Sequence, residues 1–194
     1  MADDFMKSAL DRAMERADRI QVPEEKLQEM HYQGEGKRLA ANFLKEPGYD
    51  LQAALQACDP VEQKQIAGAL VSILLQNLVL VKKESDISSN NRVLEGIGTL
   101  KKDKQGIEQA KEQLENLSNY YSQARAQHYE QLKSQVSQAL SQQIRQQTGA
   151  APSGNLNVEQ RPEFQENWRK LSAQLDGEYD KALIELKNQI ASLR

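Results

Sequence analysis

Two long stretches of the chain carry an apolar residue at almost every helical turn. From Ile107 to Ile144 this stripe advances 37 residues in ten steps, about 3.7 residues per step. From Phe164 to Leu193 it advances 29 residues in eight steps, close to the α-helical period of about 3.6. Because a left-handed coiled coil repeats every 3.5 residues or so, we expect nearly straight amphipathic helices packed side by side.

The residues between the two stripes predict how these helices are connected. The segment TGAAPSGNLN, residues 148–157, is rich in glycine, proline and asparagine, and we place a loop at 148–158. Two helices joined by a short loop usually pack antiparallel. Residues 91–194 are therefore predicted to form a long antiparallel helical hairpin, similar to a coiled-coil stalk.

The sequence also predicts a register for this hairpin. Folding the chain about Ser153 would place Tyr179 near His128 and Tyr129, and Leu186 near Tyr120. It is open whether the first helix is continuous from Asn91 to Gln147, because three glycines lie near its start.

Residues 1–90 are predicted to form a separate helical head made of shorter elements. The first helix runs from Asp3 to Ile20 and has one apolar face. That face contains Met6, Leu10, Ala13, Ala17 and Ile20. A second helix runs from Pro23 to Lys45, and a short third segment from Asp50 to Ala57. The fold class is thus all-α, a helical bundle head followed by the hairpin.

The most apolar stretch of the chain is IAGALVSILLQNLVLV, residues 66–81. A membrane-spanning helix needs about 20 predominantly apolar residues. This run has 16 residues, three of them polar, so we do not expect membrane contact. Asp59 and Pro60 are typical of a helix start. One narrow polar stripe predicts a helix over 60–82 that is buried on most sides, at the centre of a bundle or of an oligomer.

Polar residues at the end of this helix raise two further questions. The segment KKESDISSNN, residues 82–91, is predicted to be a loop. Asn77 lies among apolar residues, and two interpretations are open. Either the helix frays near Leu78 and Asn77 bonds to its own backbone, or Asn77 fixes the register against a neighbouring helix.

The charges argue against nucleic acid as a partner. The chain has 25 basic and 28 acidic residues, mixed along its length, with a net charge of −3. No segment is basic enough to drive binding to phosphates. Cys58 is the only cysteine, and the acidic N-terminus does not resemble a signal peptide, so we expect a cytoplasmic protein.

The sequence contains no motif that predicts catalysis, a metal or a cofactor. Neither His31 nor His128 follows a glutamate by three residues, as in the Glu-x-x-His pairs of di-iron bundles. The single cysteine has no histidine nearby to act as a base. We therefore predict that the protein is not an enzyme and needs no cofactor. One alternative is a metal-dependent site assembled from Glu29, His31 and Glu35.

The long amphipathic helices predict instead a scaffold or interaction protein. It would associate with itself as a homo-oligomer or dock a protein partner. The candidate interface residues are Leu74, Leu78 and Val81 in the head, with Tyr121, Tyr129 and Trp168 in the stalk. The alternative for each of them is a place in the chain's own core. A further alternative is a peripheral membrane- or envelope-associated protein that exposes its apolar helix on a conformational change.

Several segments of the chain resemble one family of helical proteins. They are SALDRAMERADRI followed by PEE, GKRLAANFL, LLQNLVLVKKES, NRVLEGIGTL and PEFQENWRKLSAQLDGEYDKALIELKNQI. The resemblance is to an uncharacterised bacterial family, a domain of unknown function, and it covers nearly the whole chain. It implies a bacterial cytoplasmic protein and adds no activity, cofactor or catalytic residue.

Overall fold

The computed structural model describes residues 23–149 and 157–193. Within these ranges it contains six α-helices, one 3-10 helix and no strand, so the all-α prediction is confirmed. The helices are α1 (Glu24–Lys45), α2 (Leu51–Gln56), α3 (Gln63–Gln76), α4 (Glu84–Leu100), α5 (Lys104–Thr148) and α6 (Pro162–Ser192), with the 3-10 turn at Val158–Gln160 before α6. The predicted helix at Asp3–Ile20 lies outside the described residues.

One hydrophobic core joins the shorter helices to one end of the hairpin. Five fully buried residues lie at its centre, and they come from α3, from the segment after α3, from α4 and from α6. They are Leu70, Leu74, Leu78, Ile97 and Ile190. The start of α5 adds Ile107 and Leu114 to the same cluster. The predicted division between residues 90 and 91 falls inside α4, and it stays a prediction.

Helix α3 is shorter than the predicted range of 60–82. The chain enters it through a turn in which the Asp59 carboxylate accepts a hydrogen bond from the Val61 backbone N–H at 2.9 Å. Within the helix, Leu70 and Leu74 are fully buried, whereas Ser72 is exposed on the predicted polar stripe. Burial on most sides is therefore confirmed, but the helix ends at Gln76.

Asn77 closes α3 by bonding to its own helix. Its side-chain Nδ2 donates to the Ile73 carbonyl at 2.8 Å, and its backbone N–H donates to the Leu74 carbonyl at 3.0 Å. The side chain is exposed. Of the two interpretations of Asn77, the one in which the helix frays and Asn77 bonds to the backbone is confirmed.

The loop prediction for residues 82–91 is wrong, because α4 begins at Glu84. The Asp86 carboxylate accepts hydrogen bonds from the backbone N–H groups of Lys82 and Lys83, at 3.0 and 3.1 Å, and so stabilises the start of this helix. The polar residues that suggested a loop are mostly the exposed face of the first turns of α4.

Asn90 is the buried amide that holds the segment between α3 and α4. It is 2% exposed. Its Oδ1 accepts a hydrogen bond from the Val79 N–H at 3.0 Å, and its Nδ2 donates to the Val79 carbonyl at 2.7 Å. A pair of bonds of this kind replaces the backbone partners that an irregular segment lacks.

The long predicted helix from Asn91 to Gln147 is interrupted. Helix α4 ends at Leu100, and α5 begins at Lys104. The Asp103 carboxylate caps α5 by accepting a hydrogen bond from the Gly106 N–H at 2.9 Å. This break lets α4 turn back along the first part of α5.

Helices α5 and α6 form the long hairpin, but in another register than predicted. The ring of Tyr179 packs edge-on against Tyr121, with the centroids 5.3 Å apart, and not against Tyr129, which lies about two helical turns further on. The Lys133 ammonium pairs with Glu159 at 2.6 Å. The chain before α6 is thereby attached to α5 about four turns ahead of the end of α5.

Two glycines permit close helix contacts in the core. A Cβ on Gly36 would lie 3.0 Å from the backbone nitrogen of Leu70, so α1 packs directly against α3. A Cβ on Gly96 would lie 2.6 Å from the Phe43 ring. That ring cannot move aside, because it is 3% exposed and the Arg92 guanidinium covers it at 3.7 Å.

We predict that Gly96→Ala destabilises the protein by about 1–3 kcal/mol, because the new methyl group overpacks the core. The measurement is urea-induced unfolding followed by circular dichroism. The control is Gly34→Ala, since no atom lies within 4 Å of a Cβ at Gly34. That change should stabilise α1 by about 0.5–1 kcal/mol. Equal effects of both substitutions would contradict the packing described for Gly96.

We predict that Asn90→Ala lowers the free energy of unfolding by about 2–3 kcal/mol, because it leaves both backbone groups of Val79 without a partner. The neighbouring Asn91 is exposed, and Asn91→Ala should change the free energy by less than about 0.5 kcal/mol. The same unfolding experiment tests both variants. If Asn90→Ala lowers the free energy of unfolding by less than Asn91→Ala does, the Asn90 hydrogen bonds do not hold the segment.

Candidate docking groove between two helices

A groove runs between α4 and the first half of α5. It consists of two adjoining clefts with volumes of about 260 and 290 Å³. The clefts share a wall formed by Asn91, Leu94 and Lys111. One cleft extends to Val81 and the other to Gly98, so together they follow most of the length of α4.

The floor of the groove is apolar. Leu94 of α4 is 3% exposed, and Ile107 and Leu114 of α5 are 6% and 4% exposed, so all three belong to the core. Ile87 lies at the mouth and is 49% exposed. A partner that covers Ile87 would remove a large aliphatic side chain from water, which stabilises a complex.

The rims of the groove are polar. On the α4 side they include Asn91 and Glu95. On the α5 side the groove is lined by Glu108 and Glu115 and also by Lys104 and Lys111. The α5 rim therefore carries charges of both signs.

A buried hydroxyl without a partner lies in the first cleft. Ser118 is 7% exposed, and its Oγ makes no hydrogen bond within the described part of the chain. Buried polar atoms are nearly always satisfied, by protein, water or ligand. The Oγ atom itself has almost no accessible surface, so its neighbours shield it from the groove.

A network of charged and hydroxyl groups fixes the same end of the groove. The Lys82 ammonium lies 2.8 Å from Asp176 of α6, and the Tyr121 hydroxyl of α5 donates to the same carboxylate at 2.6 Å. Arg125 donates to the Tyr121 hydroxyl oxygen at 3.1 Å. Because Lys82 directly follows Val81, the network holds the end of the groove against both helices of the hairpin.

The network shifts the protonation equilibria of its two charged members. The hydrogen bond from Lys82, followed by that from Tyr121, holds the pKa of Asp176 below its ordinary value. The hydrogen bond to Asp176 likewise raises the pKa of Lys82. Both side chains are partly exposed, so water screens the pair and its contribution to stability is modest.

A second cluster lies further along the hairpin. Tyr129 packs edge-on against Phe164 at 5.4 Å and against Trp168 at 4.9 Å between ring centroids. The Arg125 guanidinium lies 5.6 Å from the Trp168 ring. Burial raises the pKa of the Tyr129 hydroxyl. This cluster holds α5 and α6 together.

The six candidate interface residues are distributed over three places. Leu74 and Leu78 are 0% exposed and Tyr121 is 1% exposed, so the chain's own helices bury them. Tyr129 and Trp168 contact each other between α5 and α6. Only Val81 lines the groove. Intramolecular packing, the alternative that the sequence left open, accounts for the burial of the first three.

Most of the groove residues were not predicted from the sequence. Ser118 interrupts the apolar stripe between Leu114 and Tyr121, and this polar interruption was the available signal. Leu94 and Lys111 carried no comparable signal, because the pairing of α4 with α5 depends on the break at residues 101–103.

The alternative metal site from Glu29, His31 and Glu35 gains no support. His31 Nε2 lies 3.2 Å from Glu62, and Glu35 pairs with Arg38 at 2.6 Å. Among the described residues no group of three or more His, Cys, Asp or Glu side chains could hold a metal ion. In the same part of the chain, no helix is long and apolar enough to cross a membrane.

These features define an all-α protein whose bundled core continues into a long helical hairpin. The chain belongs to DUF6657, described as a family of unknown function, whose family model matches residues 52–192. The resemblance to a family of unknown function is thereby confirmed. No curated protein and no solved structure matches the chain.

We predict that Asp176→Asn lowers the free energy of unfolding by about 1 kcal/mol at pH 7, because it removes a charge that accepts two hydrogen bonds. The folded-state pKa of Asp176 lies below 3.8, so the ionised carboxylate contributes in full above that pH. The contribution of the carboxylate should disappear as the pH falls further. The wild type and the variant should then have the same free energy of unfolding.

Urea unfolding of both proteins between pH 3 and pH 7 measures this difference. The control is Asp180→Asn, an exposed aspartate one turn further along α6, whose replacement should change stability by less than about 0.5 kcal/mol. A difference for Asp176→Asn that does not depend on pH would show that the charge of the carboxylate does not matter.

Proposed function

We propose that this protein is a non-enzymatic helical interaction protein, which binds a protein partner or a second copy of itself in the groove between α4 and α5. The groove itself carries the proposal, because it combines an apolar floor with polar rims. Amphipathic helices bind to other proteins in grooves of this kind, with their apolar face inward.

The dimensions of the groove favour a helix as the bound element. Helix α4 has 17 residues and is therefore about 25 Å long. A bound helix of four to five turns would cover this length. It would bury Ile87 at the mouth.

A scaffold function also agrees with the way in which the carboxylates of the chain are paired with lysines. The carboxylates with lowered pKa values include Asp176 and Glu159, and each is paired with a lysine that ties the hairpin to a neighbouring segment. We therefore expect these groups to hold helices together and not to act in catalysis. We expect no cofactor and no nucleic acid, and a bacterial, cytoplasmic protein.

The second candidate function is a peripheral membrane- or envelope-associated protein. It is favoured by the apolar helix α3, which could reach a lipid surface if the core opened. Seven residues of α3 are buried in that core, so opening would expose a large apolar area to water first. Flotation with liposomes separates the two candidates, because a protein that binds only other proteins stays at the bottom of the gradient.

The proposed function predicts that Ile87→Glu weakens complex formation. Tagged wild-type protein is purified from its native host, and the mass of the eluate is measured by light scattering. A stoichiometric foreign subunit or a second copy should accompany the wild type. The variant should bind it at least about tenfold more weakly, since a charge in the groove opposes burial.

The matched control is Ile184→Glu on α6. Ile184 is 55% exposed and Ile87 is 49% exposed, so the two substitutions place the same charge at similar exposure on different faces. Complex formation should survive Ile184→Glu. A bare monomer near 21.9 kDa for the wild type, or equal loss from both variants, would contradict the proposed function.

A further inference from the structure

The charged side chains that α5 contributes to the groove alternate in sign. They are Lys104, Glu108, Lys111 and Glu115. Lys111 is half-buried and the other three are exposed. The spacing is four, three and four residues, so the row is symmetric about its middle. Positions at equal distance from that middle carry opposite charges.

These four charges are not used within the described part of the chain. Alternating charges at i,i+4 often stabilise a helix by pairing along it, and a glutamate that precedes a lysine is the better order. Here the lysine comes first in both i,i+4 pairs, and no ion pair between described residues includes any of the four. The Lys104 ammonium donates a hydrogen bond to the Gly98 carbonyl, which is a neutral group.

The other charged residue that lines the groove is already paired. Glu95 of α4 lies 3.0 Å from the Arg92 guanidinium. The charges that a partner must match are therefore those of α5. The best partner offers the opposite charges at a spacing of four, three and four residues.

The α5 edge of a second copy meets this requirement when it runs antiparallel. Lys104 of one copy then faces Glu115 of the other, and Glu108 faces Lys111, so each of the four positions finds an opposite charge. In a parallel arrangement each residue would face its own counterpart, and like charges oppose binding. The row of charges thus favours one partner and one direction.

The same arrangement covers the exposed apolar residue at the mouth of the groove. Helices α4 and α5 run in opposite directions along it, because one cleft joins Gly98 to Lys104 and the other joins Ile87 to Ser118. A two-fold axis through the middle of the charged row therefore brings Ile87 of one copy to the Gly98 end of the other groove. The cleft there, of about 290 Å³, can receive this side chain, which is 49% exposed in the single chain.

We propose that the groove between α4 and α5 is a two-fold dimer interface, across which the same edge of a second copy of this chain lies antiparallel. Because exposed ion pairs add little affinity, the α5 charges mainly select the partner and its direction. The insertion of Ile87 occurs twice in the dimer and supplies the apolar contact. The assignment rests on the proposed function, since it names the partner in the same groove.

The test reverses the two charges nearest the two-fold axis, in the full chain. Light scattering should give a dimer for the wild type, twice 21.9 kDa. Glu108→Lys and Lys111→Glu each place like charges opposite one another at two points of the dimer. Analytical ultracentrifugation should therefore give a dissociation constant at least about tenfold higher for either variant alone.

Two combinations of these substitutions should restore the dimer. In an equimolar mixture, the acidic centre of Lys111→Glu meets the basic centre of Glu108→Lys. In the double variant the two charges are exchanged within each chain, so opposite charges face each other again. Both should dimerise within about threefold of the wild type. Circular dichroism verifies that the single variants fold, and their recovery in the mixture verifies it independently.

The controls are Lys181→Glu and Glu185→Lys, which reverse two exposed charges of α6 and should leave the dimer unchanged. A monomeric wild type would overturn the assignment. So would single variants that dimerise as the controls do, or a mixture and a double variant that stay monomeric.

These results leave the proposed function standing if the pull-down still recovers a foreign subunit that depends on Ile87. If neither a second copy nor a foreign subunit depends on Ile87, the proposed function fails as well.

Discussion

The burial of α3 is the constraint on which the rest of the structure depends. This helix exposes only a narrow polar stripe that includes Ser72, so other helices must cover it on nearly all sides. Helix α1 covers one side and can approach closely because Gly36 has no side chain. The remaining sides are covered by α4 and by the end of α6, whose Ile97 and Ile190 are fully buried.

The groove is a consequence of this arrangement. Helix α4 turns one face toward α3 and Phe43, and Gly96 lies in that contact. Its other face meets α5 only along Leu94 and its neighbours, while α5 packs mainly against α6. Two helices that are each held by a different partner leave a gap between them, and the Lys82–Asp176 pair fixes one end of this gap.

Much of the fold could be predicted from the sequence, but little of the groove could. The stripe from Phe164 to Leu193 predicted α6 within a residue or two at each end, because helical periodicity is a local property. The start of α4 was missed because the Asp86 cap uses polar residues that equally suit a loop. Ser118 was missed because its burial depends on α4, which is distant in the chain.

The sequence by itself determined the all-α class, the burial of α3 and the two long amphipathic helices, since side-chain periodicity and caps act over a few residues. The tertiary structure alone decided which residues meet. Tyr179 contacts Tyr121 and not Tyr129, and the buried Asn90 side chain bonds to the backbone of Val79. Such choices depend on contacts between residues far apart in the chain, which no local pattern records.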